Sequence, residues 1–171
     1  NKIAYQGEAG ANSHIACSTV YPDLVPMPCP TFEDALTAVK SGEARYAMIP
    51  IENSVAGRVA DIHHLLPNAG LYIVGEHFLR VRFHLMAPKG AKLSDITDVY
   101  SHIHALGQCR KIIRKLGLKP VITGDTAGSA REIRDWNDPT RASLATSLAA
   151  DIYGLDTLAK DVEDETHNTT R

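Results

Sequence analysis

The chain predicts an α/β fold, and three observations carry that expectation. Strand-like apolar runs alternate with segments of helical period along all 171 residues, without a strong internal repeat. Three of those runs break into small polar loops directly ahead of a helix, around residues 6–13, 52–57 and 124–129. Loops of this kind are where α/β proteins place ligands, because backbone N–H groups at a helix start lack internal partners and can face an anion. A ligand carrying more than one negative group suits them. The third observation is a long extended run at 71–87, which fits a strand leaving one lobe and entering another.

Taken in order, residues 2–5 (Lys-Ile-Ala-Tyr) form a strand running into Gln6-Gly7-Glu8-Ala9-Gly10, with Asn12 or Ser13 to cap a helix from about His14. The loop lacks both Gly-x-Gly-x-x-Gly and Gly-Lys-Ser/Thr, which argues against a nucleotide cofactor. Prolines between 22 and 30 favour a short edge strand. Thr31 caps the next helix, Glu33 and Asp34 occupy its first turn, and Phe32, Ala35, Leu36 and Val39 share its buried face. Ser41-Gly42 ends it. A strand at 46–51 breaks into Glu52-Asn53-Ser54, Gly57 closes the loop, and a helical pattern covers 58–66. Asn53 and Ser54 serve there either as N-caps or as ligand-facing groups. His63 and His64 on that helix face different directions and have no third ligand in view, so no metal is expected.

In the extended run Val81, Phe83 and Leu85 alternate with Arg80, Arg82 and His84. A strand then ends at Val99-Tyr100, and Ser101 caps a helix whose stripe is Leu106, Cys109, Ile113 and Leu116, stopped by Gly117. Gln108 lies about two turns in. His102 and His104 stand two apart and face away from each other. A strand at 118–123 leads into Gly124-Asp125-Thr126-Ala127-Gly128, where Asp125 fits an N-cap. An Ala- and Leu-rich helix opens at Pro139-Thr140 and stops at Gly154, and a last strand covers 158–162.

Length fits one compact domain or two small lobes, and an apolar fraction of 44% is enough for a sizeable core. A net charge of −2 favours neither nucleic acid nor an anionic membrane as partner. Apolar runs fall far short of a membrane span. Cys17, Cys29 and Cys109 leave an odd thiol and no CxxC, against a disulfide framework, so a cytoplasmic location is expected. Both ends look cut, Asn1 by not being Met and Arg171 by falling in mid-pattern.

Four stretches together resemble the prephenate dehydratase catalytic domain: Ile49-Pro50-Ile51-Glu52-Asn53-Ser54 with Gly57; Ser101-His102 with Ala105-Leu106 and Gln108-Cys109; Asp125-Thr126-Ala127-Gly128; and Asn168-Thr169-Thr170-Arg171. Tyr5-Gln6-Gly7-Glu8-Ala9-Gly10 with Ser13 matches the family's first loop. The resemblance covers essentially the whole chain. It implies a two-lobed fold like the type II periplasmic binding proteins, with residues 1–77 and 169–171 in lobe 1, 78–168 in lobe 2, and the active site in the interlobe cleft. It implies conversion of prephenate to phenylpyruvate in phenylalanine biosynthesis, with no cofactor and no metal.

By the same resemblance Thr170, Glu52 and Asp125 are the catalytic candidates, and Asn53, Ser54, Ser101, Gln108 and Arg171 the substrate-binding ones. Thr170 is expected to donate to the departing ring hydroxyl, with Glu52 or Asp125 supplying the proton. Many members read Ser-His-Pro-Gln where this chain has Ser101-His102-Ile103-His104, and the Thr-Arg-Phe motif stops after Arg171. A homodimer or homotetramer is implied, as is an ACT-type regulatory domain in the full-length protein. Arogenate dehydratase, or a non-catalytic small-anion or amino-acid binding module, fits the same motifs.

Overall fold

The computed structural model describes residues 1–171, and the chain divides into two compact units. The first holds Asn1–Glu8, Asn12–Val81 and His167–Arg171, and the second holds Ala9–Ala11 and Arg82–Thr166. The chain passes between them at 8/9, 11/12, 81/82 and 166/167, and the resemblance implies divisions at 77/78 and 168/169.

The first unit opens with β1 (Lys2–Gln6), α1 (Asn12–Val20), β2 (Val25–Cys29), α2 (Phe32–Lys40) and β3 (Tyr46–Met48). The strands form a parallel sheet in the order β2-β1-β3. Pro26 and Pro28 fall on edge strand β2, where a missing N–H costs least. Thr31 caps α2 by accepting from Asp34 N at 3.1 Å, and the helix buries Leu36 and packs Ala35 and Ala38 against Ala4, Cys29 and Ala44. Phe32 and Val39, expected on that face, are only half-buried.

After β3 the chain departs from expectation. Glu52–Asn53 is a short strand, β4, that turns back through Gly57–Arg58, β5, with Asn53 opposite Gly57. Gly57 adopts φ +86°, a conformation that suits glycine at so tight a reversal. Helix α3 (Ala60–Leu65) has only six residues, and its N-cap Val59 makes no side-chain bond. Asn53 and Ser54 therefore cap no helix. A 3-10 turn (Leu66–Asn68) follows, residues 71–78 belong to no strand or helix, and β6 (Leu79–Arg80) ends this part.

The second unit runs β7 (His84–Ala87), β8 (Asp98–Ser101), α4 (Ile103–Gln108), α5 (Arg110–Lys115), β9 (Lys119–Ile122), α6 (Thr126–Trp136), β10 (Arg141–Ala145), α7 (Ser147–Tyr153) and β11 (Asp156–Ala159). Its five strands lie in the order β11-β7-β10-β8-β9, with β10 parallel to β8 and antiparallel to β7. The long helix expected from residue 139 is instead the central strand β10 followed by α7, which Thr146 caps by accepting from Ala149 N at 3.1 Å. Met86, Ile133, Ala145, Ala149 and Tyr153 are among the residues that form the core here. His84, placed outside by the alternation, is buried, and its Nδ1 accepts from Asp161 N at 3.1 Å.

The single helix expected between 101 and 116 is two. Cys109 breaks it with φ −127° and ψ 32°. Asp164 fills the break: its N–H donates to Gln108 O at 2.7 Å, and its carboxylate accepts from Arg110 N and Lys111 N at 3.0 Å each. The end of the chain returns to the first unit as β12 (Thr169–Thr170), which lies between β4 and β6 in the order β5-β4-β12-β6. No helix is long and apolar enough to cross a membrane.

Candidate functional site

The β4–β12 ladder sorts five of the expected site residues by face. Thr170 pairs with Asn53 across antiparallel strands. Arg171 N donates to Glu52 O at 2.9 Å and Ser54 N to Thr169 O at 2.9 Å, so Asn53–Thr170 is the pair without direct backbone bonds between them. Side chains of such a pair approach most closely. Asn53 Nδ2 accordingly donates to Thr170 Oγ1 at 2.9 Å and to Asn168 Oδ1 at 2.7 Å. Asn53 Oδ1 accepts from Val55 N at 2.9 Å and Ala56 N at 2.8 Å.

That uses the full hydrogen-bonding capacity of the Asn53 amide, two donors and two lone pairs. Asn53 was expected to hold substrate. Its amide is bonded to Thr170 and Asn168. Since the amide donates to the threonine oxygen, the Thr170 proton is left to point elsewhere.

Glu52 and Arg171 are one residue along and point to the opposite face, because strand side chains alternate. Arg171 Nη2 stands 3.2 Å from Glu52 Oε1, and its Nη1 stands 4.0 Å from Glu76 Oε2. These are half-exposed pairs, of a kind worth about 0–1 kcal/mol. Glu52, one of the two carboxylates expected to supply the proton, carries its side chain on the face away from Thr170. Arg171 instead lines a mainly apolar groove of about 1010 Å³ in this unit, which also takes in 46–49, Ile51 and 71–77 but neither Asn53 nor Thr170. Ser54 Oγ donates to His167 O and accepts from Thr169 N, both at 2.9 Å, so this side chain pins β12.

Ser101, Gln108 and Asp125 belong to the second unit. Ser101 was expected at a helix start. It is the last residue of β8, fully buried, and its Oγ donates to Leu144 O at 2.7 Å, tying β8 to β10. His102 takes the cap, its Nδ1 accepting from His104 N at 3.2 Å. Burial holds the His102 imidazole below the ordinary value of 6.5, His104 adds to this and Asp125 opposes it. Gln108 closes α4 with its carbonyl on Asp164 N. Asp125 caps α6, its Oδ2 accepting from Gly128 N at 2.7 Å. Thr123 N donates to Ser101 O at 2.8 Å, which brings the C-terminal ends of β8 and β9 together.

Two contributors were not singled out from sequence. Asn168 is 1% exposed and orients the Asn53 amide, while its carbonyl accepts from Val81 N at 2.7 Å. Its place in Asn168-Thr169-Thr170 was the available signal. Asp164 sits in an acidic run that reads as a solvated loop. The three thiols are buried, and burial pushes Cys17 up to about 12 and raises Cys29 and Cys109, so none is an activated nucleophile.

The prephenate dehydratase family profile matches residues 3–171. A bifunctional N-acyl-homoserine lactone acylase/prephenate dehydratase of Komagataeibacter europaeus is 48% identical over 99% of this chain and 60% of its own length. Arogenate dehydratase/prephenate dehydratase 2 of Arabidopsis thaliana, a chloroplastic protein, is 41% identical over 99% of this chain and 45% of its own. The crystal structure of the prephenate dehydratase from Arthrobacter aurescens in complex with L-Phe superimposes with a TM-score of 0.91 at 31% identity, covering 99% of this chain and 59% of that one. The chain thus spans roughly half to three-fifths of the length of these relatives. With the family profile spanning residues 3–171 and relatives aligned over 99% of its length, the chain belongs to the prephenate dehydratase family.

Proposed function

We propose that this chain carries out the decarboxylating dehydration of prephenate to phenylpyruvate, with the Thr170 hydroxyl as hydrogen-bond donor to the leaving oxygen. The observation that carries the reading is the Asn53–Thr170 contact, which holds the threonine oxygen as an acceptor and frees its proton. In the reaction the ring carbon–carboxylate bond breaks and carbon dioxide leaves. The released electron pair forms the last ring double bond as the carbon–hydroxyl bond breaks, and the hydroxyl takes up one proton to depart as water. Hydroxide is a poor leaving group, so a placed donor at that oxygen is the main demand, and such assistance is worth ~10²–10⁴-fold.

A threonine hydroxyl is itself a very weak acid, so it relays a proton rather than supplying one. Glu52 is turned to the other face and paired with Arg171, which favours Asp125 or water over Glu52 as the source of that proton. Asn53, Asn168 and Ser54 act by fixing β12 and the threonine rotamer. The proposed contributions of Ser101, Gln108 and Asp125 rest on the resemblance of their motifs and are separable by single variants.

Phenylpyruvate and carbon dioxide release from prephenate, measured for the chain and for Thr170→Ala and Thr170→Ser, tests this. Ala is expected to lower kcat by about 10²–10⁴-fold with substrate affinity largely kept, and Ser to retain more activity than Ala. Near-normal turnover in Thr170→Ala rejects the donor role. Asn53→Ala should resemble Thr170→Ala, because the freed hydroxyl loses its orientation.

Arogenate is the second reading, favoured by the name of the Arabidopsis relative. It differs in an amino group in place of the side-chain keto oxygen, and the same assay run on both substrates separates them. A homodimer or homotetramer, a cytoplasmic location and an ACT-type regulatory domain in the full-length protein complete the proposal. The greater length of the relatives supports the last of these.

A further inference from the structure

The sheet of the second unit changes its winding direction at one place. From β8 the chain moves through α4 and α5 to β9 on one side, and from β10 it moves through α7 to β11, beyond β7, on the other. β8 and β10 are adjacent and parallel, with Ser143 opposite Tyr100. Open α/β sheets hold ligands outside the carboxyl ends of two such strands, where the diverging connections leave a crevice. β8 ends at Ser101, so the first side chain past that end is His102.

Two apart on a helix, side chains 102 and 104 were expected to face away from each other. They meet, because His102 is the N-cap and lies outside the helical turns, at φ −65° and ψ 149°. The two rings stand 4.9 Å apart between centroids and are tilted by 32°. His102 Nδ1 accepts from His104 N at 3.2 Å. A ring nitrogen that accepts carries no proton, so the neutral imidazole holds its proton on Nε2. Burial first, and then His104, holds this ring below the ordinary 6.5, and Asp125 is the facing charge that opposes them. The ring is therefore neutral at pH 7. Nδ1 is engaged within the chain, and the Nε2–H is the donor left for a ligand or water.

We infer that His102 is a substrate-binding residue whose Nε2–H donates to an acceptor oxygen of the pyruvyl side chain, its carboxylate or its keto oxygen. The identity of that substrate rests on the reaction proposed above. The cap bond fixes the tautomer and the ring contact restrains the plane, so the donor is oriented before anything binds. Being neutral, it meets the oxygen without the cost of desolvating a cation. It suits a keto or carboxylate oxygen and offers nothing to an ammonium group, which has no lone pair.

Two substitutions separate the two ring nitrogens. Asn sets an oxygen near the place of Nδ1 and nothing at Nε2, whereas Gln reaches the place of Nε2 with an amide N–H and gives up the cap. His102→Asn is expected to keep Tm at pH 7 and to raise KM for prephenate about tenfold or more. His102→Gln should lower Tm and yet stay closer to the parent KM, a reversal that a purely structural cap would not produce. An equal rise in KM for arogenate assigns the oxygen to the carboxylate, and a rise confined to prephenate assigns it to the keto group. Phenylpyruvate, titrated against the chain with isotope-labelled histidine, reads the same contact by NMR without turnover, and the His102 Nε2–H signal should shift as it binds. No carbon dioxide release from prephenate by the parent chain rejects the reaction and leaves this titration to decide the contact. The inference is overturned by a His102→Asn variant with the parent KM, by an Nε2–H signal that phenylpyruvate does not move, or by a proton found on Nδ1.

Discussion

In the second unit the central strand β10 has partners on both sides, and Ala142, Ser143, Leu144 and Ala145 are fully buried. In the first unit β3 has one partner, and all three of its residues are half-buried. The two sheets are built from similar strand and helix lengths. The second is closed around its middle, whereas the first presents an edge and assembles its candidate catalytic pair on a separate four-stranded ladder of two-residue strands. Stability is therefore expected to concentrate in the second unit. The chemistry assigned to Thr170 depends on a small ladder held by side-chain bonds, those of Asn53, Ser54 and Asn168.

The most direct way to break this comparison is a pair of truncations. Leu144→Ala, at a site with no exposure, should cost about 2–5 kcal/mol. Val25→Ala on edge strand β2, 62% exposed, should stay within about 0.5 kcal/mol. Urea unfolding of both variants checks it, and equal costs would mean that the two sheets share one stability.

Smaller effects sharpen it. Asp164→Ala removes the group that terminates one helix and starts the next, at about 0.5–2 kcal/mol, with Asp164→Asn losing less because an amide oxygen still caps. Exchange at Arg110 and Lys111 should rise in the alanine variant. Unchanged exchange there would show that the helix break does not depend on this side chain.

The gentlest probe is pH. Because folding holds the His102 imidazole below 6.5, chiefly through burial, the unfolded chain takes up a proton that the folded chain refuses as pH falls below that value. The stability linked to neutral His102 is therefore complete above about 6.5 and is lost as pH falls from there to the lowered folded value. Protonation also removes the Nδ1 acceptor that caps α4. His102→Asn keeps a capping oxygen and should flatten the fall in Tm between pH 7 and pH 5. Part of the slope remains, since burial also lowers His14. An identical slope in the variant would remove His102 from the account.

Residues with strong local codes were legible. Thr31 caps α2 and Asp125 caps α6 because a side-chain oxygen two or three residues ahead of an N–H needs no tertiary help. The prolines of β2 announced an edge. The motifs placed Asn53 and Thr170 in one family pattern, although nothing local says that residues 117 apart share a hydrogen bond. The readings that failed were those decided by a distant partner. Arg141–Ala145 carries Ala and Ser, residues without β preference, and becomes a strand only because β7 and β8 pair with both of its edges. The helix after Ser101 looks continuous from its own period and is divided by a carboxylate more than fifty residues later.

By itself, then, the sequence determined the α/β alternation, the family, and Asn53 and Thr170 as members of one motif set, since these depend on side-chain chemistry and short-range spacing. Tertiary structure decided which face each group occupies and which edge stays open. A two-residue strand has no period to read, and only its pairing sets Asn53 beside Thr170 and turns Glu52 and Arg171 to the other side.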